Sequence, residues 1–368
     1  MAEKDSFKLN YLLLPIAFFY EMGVRLRNQL FNWGILSTEE FTVPVISIGN
    51  LAVGGTGKTP HVEYLIRLLK DKYKVAVLSR GYKRRTKGFL LADDKSTYLT
   101  IGDEPFQIKR KFPDIAVAVD SNRRRGIHHL LSLPEGEKPD VILLDDAFQH
   151  RYVTPSLSIV LTDYNRLFYW DKILPIGRLR EPSVGIRRGD AVIVTKCEEG
   201  LKPIDYRIIS DEMKLRAHQE LYFTYITYGE LEPLFPAKAS LHDRHNIKKD
   251  DELLLLTGIA SPERFIGEVK KQADKVTTMV YPDHHNFTRQ DIRKISETFN
   301  RINSTDKYIL TTEKDAARLL QNPLIPDEWK DVLYYLPITI TFRAENHQSL
   351  DKLVLNHIVT VQRNKVLR

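Results

Sequence analysis

The chain has 368 residues, 42% of them hydrophobic and 28% charged, with a formal net charge of +7. That length exceeds one ordinary core, so two domains are expected, and that composition excludes a disordered or fibrous chain. The lone cysteine, Cys197, excludes an intramolecular disulfide and fits a reducing cytoplasm, while the mild basic excess suits a polyanion (nucleotide, nucleic acid or anionic membrane) without choosing among them.

Tyr11–Tyr20 is almost wholly apolar. It is too short to span a bilayer, which takes about 20 apolar residues, and it lacks the flanks of a secretory signal. Beyond it Met22, Val24, Leu26, Leu30 and Phe31 alternate with Glu21, Arg25, Arg27 and Asn28, and Trp33 follows. An apolar plug, then basic residues, then an aromatic describes a helix lying in a membrane interface. A helix buried against the protein body has the same pattern, and both readings stand.

From Val43 strand and helix signals alternate. Strands are expected at Val43–Ile48, Lys74–Leu78, Ile115–Val119, Val141–Leu144, Leu157–Leu161 and Ala191–Val194, with a helical stripe of Val62, Leu65, Ile66 and Leu69 over Thr59–Lys70. Short apolar strands separated by helices predict an α/β fold, a parallel sheet with helices on both faces. After Lys202 the pattern changes. Tyr222–Tyr228 and Tyr334–Phe342 both read as aromatic strands with an exposed face. Between them runs a second series, Leu253–Leu256, Val276–Val280 and Tyr308–Leu310, and Gln348–Val361 reads as a closing helix. The expected division is an N-terminal helical segment 1–35, a core 36–220, paired connector strands 221–245 and 331–345, a smaller α/β domain 246–330 and a C-terminal helix 346–368 packing on the core.

Between the first strand and first helix lie Gly54, Gly55, Thr56, Gly57, Lys58 and Thr59. Strand, glycine-rich turn, Lys-Thr and helix form the context of a phosphate-binding loop, a P-loop. Its glycines let backbone N–H groups converge on phosphate oxygens, and the helix start adds its positive dipole end. Lys58 then serves the β- and γ-phosphates of ATP, and the Thr59 hydroxyl serves Mg²⁺. Ala52 stands where the usual pattern begins with glycine. Asp145 and Asp146 end a buried strand, where a carboxylate meets the ligand crevice and can hold Mg²⁺. One is expected on the metal and the other on a nearby water or substrate group.

Basic runs Arg80–Arg85 and Asn122–Arg125 follow the second and third strands. Arg80, Arg123 and Arg124 are candidates for an acceptor phosphate or anionic headgroup. Gly102–Pro105 and Gly177–Pro182 carry acids that serve either as caps or as catalytic groups, and spacing does not choose. Asp283, His284 and His285 sit together, but a zinc site needs more ligands than they supply.

Taken in order, Ile48–Leu51, Gly57–Pro60, Leu78–Tyr82, Gly102–Pro105, Leu144–His150, Leu179–Pro182, Asp283-His284 and Thr311–Asp315 resemble the tetraacyldisaccharide 4′-kinases, the lipid A 4′-kinases of outer-membrane bacteria. The resemblance covers nearly the whole chain, and the position of Ala52 is not glycine in that family either. It implies phosphorylation of a tetraacylated glucosamine disaccharide 1-phosphate at its 4′-hydroxyl, with ATP and Mg²⁺. The smaller domain becomes a lid, and the N-terminal helix a peripheral anchor on the cytoplasmic face of the inner membrane. Asp103 becomes the base and His284 its partner, with Lys58 beside them. Thr59, Asp145, Asp146 and Glu181 surround the metal, and Glu104, Arg80, Arg123, Arg124 and Gln149 serve the acceptor. A monomer is expected. The residues alone also fit a membrane-associated P-loop NTPase with a regulatory or transport role. Val194-Thr195-Lys196 echoes the base-reading loop of GTPases, although Glu198 stands where aspartate is expected. Nucleic acid is not expected as a partner, because only Tyr82 interleaves the basic loops with an aromatic.

Overall fold

The structure is a computed structural model and describes residues 11–236, 246–304, 306–343 and 347–366. The beginning of the N-terminal segment, the end of the first connector and positions 344–346 lie outside the described residues. In chain order the first lobe contains α1 (Leu14–Asn32), β1 (Val45–Asn50), α2 (Lys58–Leu69), β2 (Val75–Ser79), β3 (Leu90–Leu91), α3 (Tyr98–Ile101), α4 (Asp103–Lys111), β4 (Ala116–Val119), α5 (Arg123–Leu131), β5 (Val141–Asp145), β6 (Leu157–Asp163), β7 (Ala191–Thr195), α6 (Pro203–Met213) and β8 (Glu220–Tyr228). The second lobe contains β9 (Glu232–Pro233), β10 (Glu252–Thr257), α7 (Glu263–Gln272), β11 (Lys275–Val280), α8 (Arg289–Asn300), β12 (Lys307–Thr312), α9 (Glu313–Leu320) and β13 (Leu333–Leu336). Then β14 (Ile338–Phe342) and α10 (His347–Val366) return to the first lobe.

The first sheet has nine strands in the order β14-β8-β7-β6-β1-β5-β2-β4-β3, parallel except for β3 and β14 at its two edges. β1, β2, β5 and β7 are buried at every position. Their unbroken apolar character follows from coverage on both faces. On one face α2, α4 and α10 share a core with the strands through Val62, Ile66, Ile108, Val354 and Ile358. On the other, α5 packs through Ile127 and Leu130, and α6 through Ile209 and Met213. The strands added after β1 (β2, β4 and β5) lie to one side of it, and β6 begins the other side. A reversal of strand order at β1 opens a crevice at its carboxyl end.

The second sheet, β11-β10-β12-β13-β9, is parallel except for β9. Helices α8 and α9 cover one face of it and α7 the other.

Two expectations need correcting. Tyr334–Phe342 is two strands, not one: Pro337 has no N–H for a ladder, and its carbonyl accepts from Gly229 N at 2.9 Å. β13 therefore joins β12 in the second sheet, while β14 pairs antiparallel with β8 in the first, Ile338 opposite Tyr228. β8 is not an exposed connector along its length. It pairs parallel with β7 and buries Tyr222, Phe223 and Thr224.

Helix α1 leaves much of its apolar surface uncovered: Leu14, Ile16, Phe18, Phe19, Met22 and Leu26 are exposed, while Ala17 and Phe31 are buried. Among the described residues no helix is long and apolar enough to cross a membrane.

Candidate active site

The P-loop leaves β1 and turns into α2 at Gly57, whose φ of 82° is the left-handed conformation that favours glycine. Its back is fixed by side chains. Asn50 Nδ2 donates to Thr56 Oγ1 at 2.8 Å, and Thr195 Oγ1 donates to the Thr56 carbonyl at 2.9 Å. His61 is buried and bonds the Gly57 carbonyl through Nδ1 at 2.7 Å and Thr224 Oγ1 through Nε2 at 3.0 Å. Burial lowers its pKa to about 4, so it stays neutral behind the loop. Ala52 bridges Leu179, and Val53 N donates to the Arg178 carbonyl. The front of the loop is thus strapped to the 178–181 segment instead of being left to a glycine.

Asp145 and Asp146 meet the loop at the end of β5. The Lys58 ammonium lies 3.6 Å from Asp146 Oδ1, and Arg180 Nη1 donates to both oxygens of Asp146, at 3.0 and 3.2 Å. The adjacent acids point apart because Asp146 takes a left-handed backbone, φ 49°. Asp145 is buried. Its Oδ2 accepts from Ser79 Oγ at 3.1 Å, and its Oδ1 has no hydrogen-bond partner among the described residues. Burial, with Glu104 and Asp146 nearby, pushes its pKa up to about 7. A crowded carboxylate with an unpartnered buried oxygen close to Lys58 of the P-loop suits Mg²⁺, which binds by one or two carboxylates plus substrate oxygens. Among the described residues no cluster of three or more His, Cys, Asp or Glu could hold a metal ion.

Asp103 opens α4 after Gly102, whose φ is 94° and where a Cβ would meet the Tyr82 carbonyl at 3.0 Å. The second lobe closes over it. His284 Nδ1 lies 2.8 Å from Asp103 Oδ2, and Arg318 donates to that oxygen from Nε at 2.9 Å and Nη2 at 2.5 Å. Lys314 Nζ is 3.2 Å from His284 Nε2. His284 Nδ1 also lies 3.1 Å from Arg318 Nη2, so the imidazole, the guanidinium and the carboxylate meet at one point. Burial pushes the Asp103 carboxyl up, but bonds from His284 and Arg318 and their charge outweigh this and hold it at about 2. Like Asp146, His284 is a non-glycine residue in the left-handed region, φ 62°. Such strain concentrates at functional sites.

Other sequence candidates fall differently. Arg80 is exposed at the end of β2. Arg123 is buried, and its guanidinium donates to the carbonyls of Asp120 and Asp145 at 2.9 and 3.2 Å. It braces β5 from within instead of presenting itself to an acceptor phosphate. Arg124 pairs with Glu39 at 3.4 Å, beside an open depression of about 450 Å³ along α5. These three arginines therefore do not converge. Glu181 is paired with Arg188, each of its oxygens accepting at 2.8 Å. It also supports Gln149, whose Nε2 is 3.3 Å from it and whose Oε1 accepts from Arg180. A cleft of about 190 Å³ lies on the other side of the P-loop, between Thr56, Asp163, Phe168, Lys196 and, from the second lobe, Ala260 and Ser261. Sequence reasoning missed His61, Arg180, Arg188 and Arg318. Arg180 lies inside the Gly177–Pro182 motif, Arg188 and Arg318 lie a few positions beyond that motif and Thr311–Asp315, and His61 follows the P-loop directly.

A family model described as tetraacyldisaccharide-1-P 4′-kinase matches residues 9–358. A tetraacyldisaccharide 4′-kinase of Parabacteroides distasonis is 56% identical over 100% of both chains. One of Bacteroides thetaiotaomicron is 47% identical over 98% of this chain and 97% of its own. The crystal structure of LpxK from Aquifex aeolicus in complex with ATP superposes with a TM-score of 0.72 at 28% identity, covering 94% of this chain and 98% of that one.

Proposed function

The chain belongs to the tetraacyldisaccharide-1-P 4′-kinase family, and from that premise we propose how its own residues carry out the reaction. It phosphorylates the 4′-hydroxyl of a tetraacyldisaccharide 1-phosphate with ATP, in lipid A biosynthesis. The observation that carries the mechanism is the meeting of two constellations: Lys58 with Asp145 and Asp146 at the P-loop, and Asp103 with His284 across the lobes.

Backbone N–H groups of residues 54–59 and the start of α2 bind the phosphates. Lys58 offsets charge on the γ-phosphoryl as it moves, and Arg180 keeps Asp146 beside it. Thr59 and Asp145 would hold Mg²⁺, which supplies charge neutralisation at the β- and γ-oxygens. Asp103 takes the proton of the acceptor hydroxyl on Oδ1, while His284 holds Oδ2. A general base contributes about 10²–10⁴-fold, and positioning with electrostatics most of the rest. Arg80, exposed at the same sheet end, and Glu104, next to the base, remain the side chains for the acceptor. Helix α1 docks its apolar face at the lipid surface as a peripheral anchor at the cytoplasmic side of the inner membrane. The same helix reaches the site: Tyr20 Oη donates to the Arg180 carbonyl at 2.9 Å and Arg27 Nη2 to the Gln149 carbonyl at 3.0 Å. The working unit is a monomer with the second lobe as its lid, in the division 1–35, 36–220, 246–330 and 346–368 with connectors 221–245 and 331–345.

The test is transfer of label from γ-labelled ATP to detergent-dispersed tetraacyldisaccharide 1-phosphate. Lys58→Ala should lower transfer by at least about 10²-fold. His285→Ala should fall far less, because His285 is bonded to Asp291 within the second lobe. Equal losses would overturn these roles. ATP hydrolysis without labelled lipid would favour an NTPase of regulatory or transport type.

A further inference from the structure

We infer that Arg318 is a positioning residue for Asp103, supplied by the second lobe so that the base is set only when the lobes meet. The inference rests on the reading of Asp103 as the base. Arg318 lies in α9 and is 2% exposed. Its Nε and Nη2 grip Asp103 Oδ2, and its Nη1 donates to Asp315 Oδ1 at 3.0 Å. A planar guanidinium serves two carboxylates at once with fixed geometry, which an ammonium cannot do.

The far end of that fork is itself anchored. Asp315 is buried, and its Oδ2 accepts from Gly258 N at 2.8 Å and Thr312 Oγ1 at 2.7 Å. Thr312 caps α9 by accepting from Asp315 N at 3.1 Å. Two residues earlier, Glu313 is ion-paired with Lys111 of α4, the helix that begins with Asp103. The segment Thr311–Asp315, whose role spacing left open, is thus the frame that aims Arg318. Arg318 and His284 share one oxygen of Asp103, and that leaves Oδ1 for the acceptor. The other polar neighbours of this group are Glu104 on α4, Lys314 and Asp283 beside His284, and Tyr82, whose ring lies 5.5 Å from that of His284.

A mere tie between lobes would use the same contacts, so the test must separate kcat from KM. The variants are Arg318→Lys, which keeps the charge, and Arg318→Ala/Asp315→Asn, which avoids leaving a buried carboxylate unpaired. Steady-state transfer to the lipid is measured alongside thermal melting. The double variant should lose about 10²-fold in kcat with KM for ATP and for lipid within about threefold of the parent, and Arg318→Lys should recover only part of that loss. A folded Arg318→Lys with the parent's kcat, or a loss confined to KM, overturns the inference. A parent protein that labels no lipid would instead sink the functional reading beneath it.

Discussion

Asp145 shows how strongly surroundings set one residue's chemistry. Burial raises its carboxyl, Glu104 and Asp146 add to the effect, and Lys58 and Ser79 offset only part, leaving it at about 7. A carboxyl raised above its unfolded value, about 3.9, stabilises the fold fully only below that value, and the contribution is lost as pH rises through about 7. A divalent cation removes that cost by taking the proton's place. MgCl₂ should therefore raise the melting temperature more at pH 8 than at pH 5.5, with apparent affinity falling about tenfold per pH unit below 7. In Asp145→Asn the pH dependence should vanish. An equal Mg²⁺ effect at both pH values in the parent would remove Asp145 from the ligand set. The structure brings Asp103 to His284 and Lys58 to Asp146, residues the sequence singles out because each sits inside a local motif. The sequence placed Arg123 at the acceptor, whereas that guanidinium turns to the carbonyls of Asp120, Asp145 and Asp146, up to 23 positions away.

The informative element is α1. Its apolar run left two readings open, and the fold shows those side chains largely uncovered, Phe18 at 64% and Phe19 at 65% exposure. Tyr20, Arg27 and Asn28 on the same helix turn toward the Gln149–Glu181 segment. Replacing Phe18 and Phe19 by serine should weaken binding to anionic phospholipid vesicles by about tenfold per residue, from an estimated 1.5–3 kcal/mol for burying such a side chain. Melting temperature should hardly change, since neither ring is buried in the fold. Sedimentation with vesicles reads the difference, and unchanged binding would mean that α1 is not the anchor. The strands of both lobes were legible from apolar runs of the right length. The exceptions were the two-residue strands β3 and β9, and Tyr334–Phe342, where Pro337 divides a seemingly continuous strand between two sheets.

At the scale of the whole molecule, the lobes meet through charged groups that burial makes consequential. Lys111 lies 2.7 Å from Glu63 on α2 and is also paired with Glu313 on α9. Burial raises the Glu313 carboxyl, and the nearby Glu63 adds to it. Lys111→Ala leaves the half-buried Glu313 facing the buried Glu63, which keeps Arg67 at 3.1 Å, and losing such a charged partner costs about 1–3 kcal/mol. The variant should unfold at lower urea and expand in small-angle scattering at pH 8. Glu313→Gln should restore part of the loss by removing one charge. A Lys111→Ala protein as compact and stable as the parent would show that apolar packing alone holds the lobes.

By itself the sequence determined most of the longer elements, the P-loop motif and the acids at the end of its neighbouring strand. Hydrophobic period, glycine placement and strand-end position are local properties, readable from residues a few positions apart. The tertiary structure decided which side chains share a charge. Asp103 and Arg318 are separated by 215 positions and His284 comes from the other lobe, yet all three meet at one carboxylate oxygen. No local period encodes such a meeting, because it depends on two sheets being brought together by the chain's crossings at β8–β9 and β13–β14.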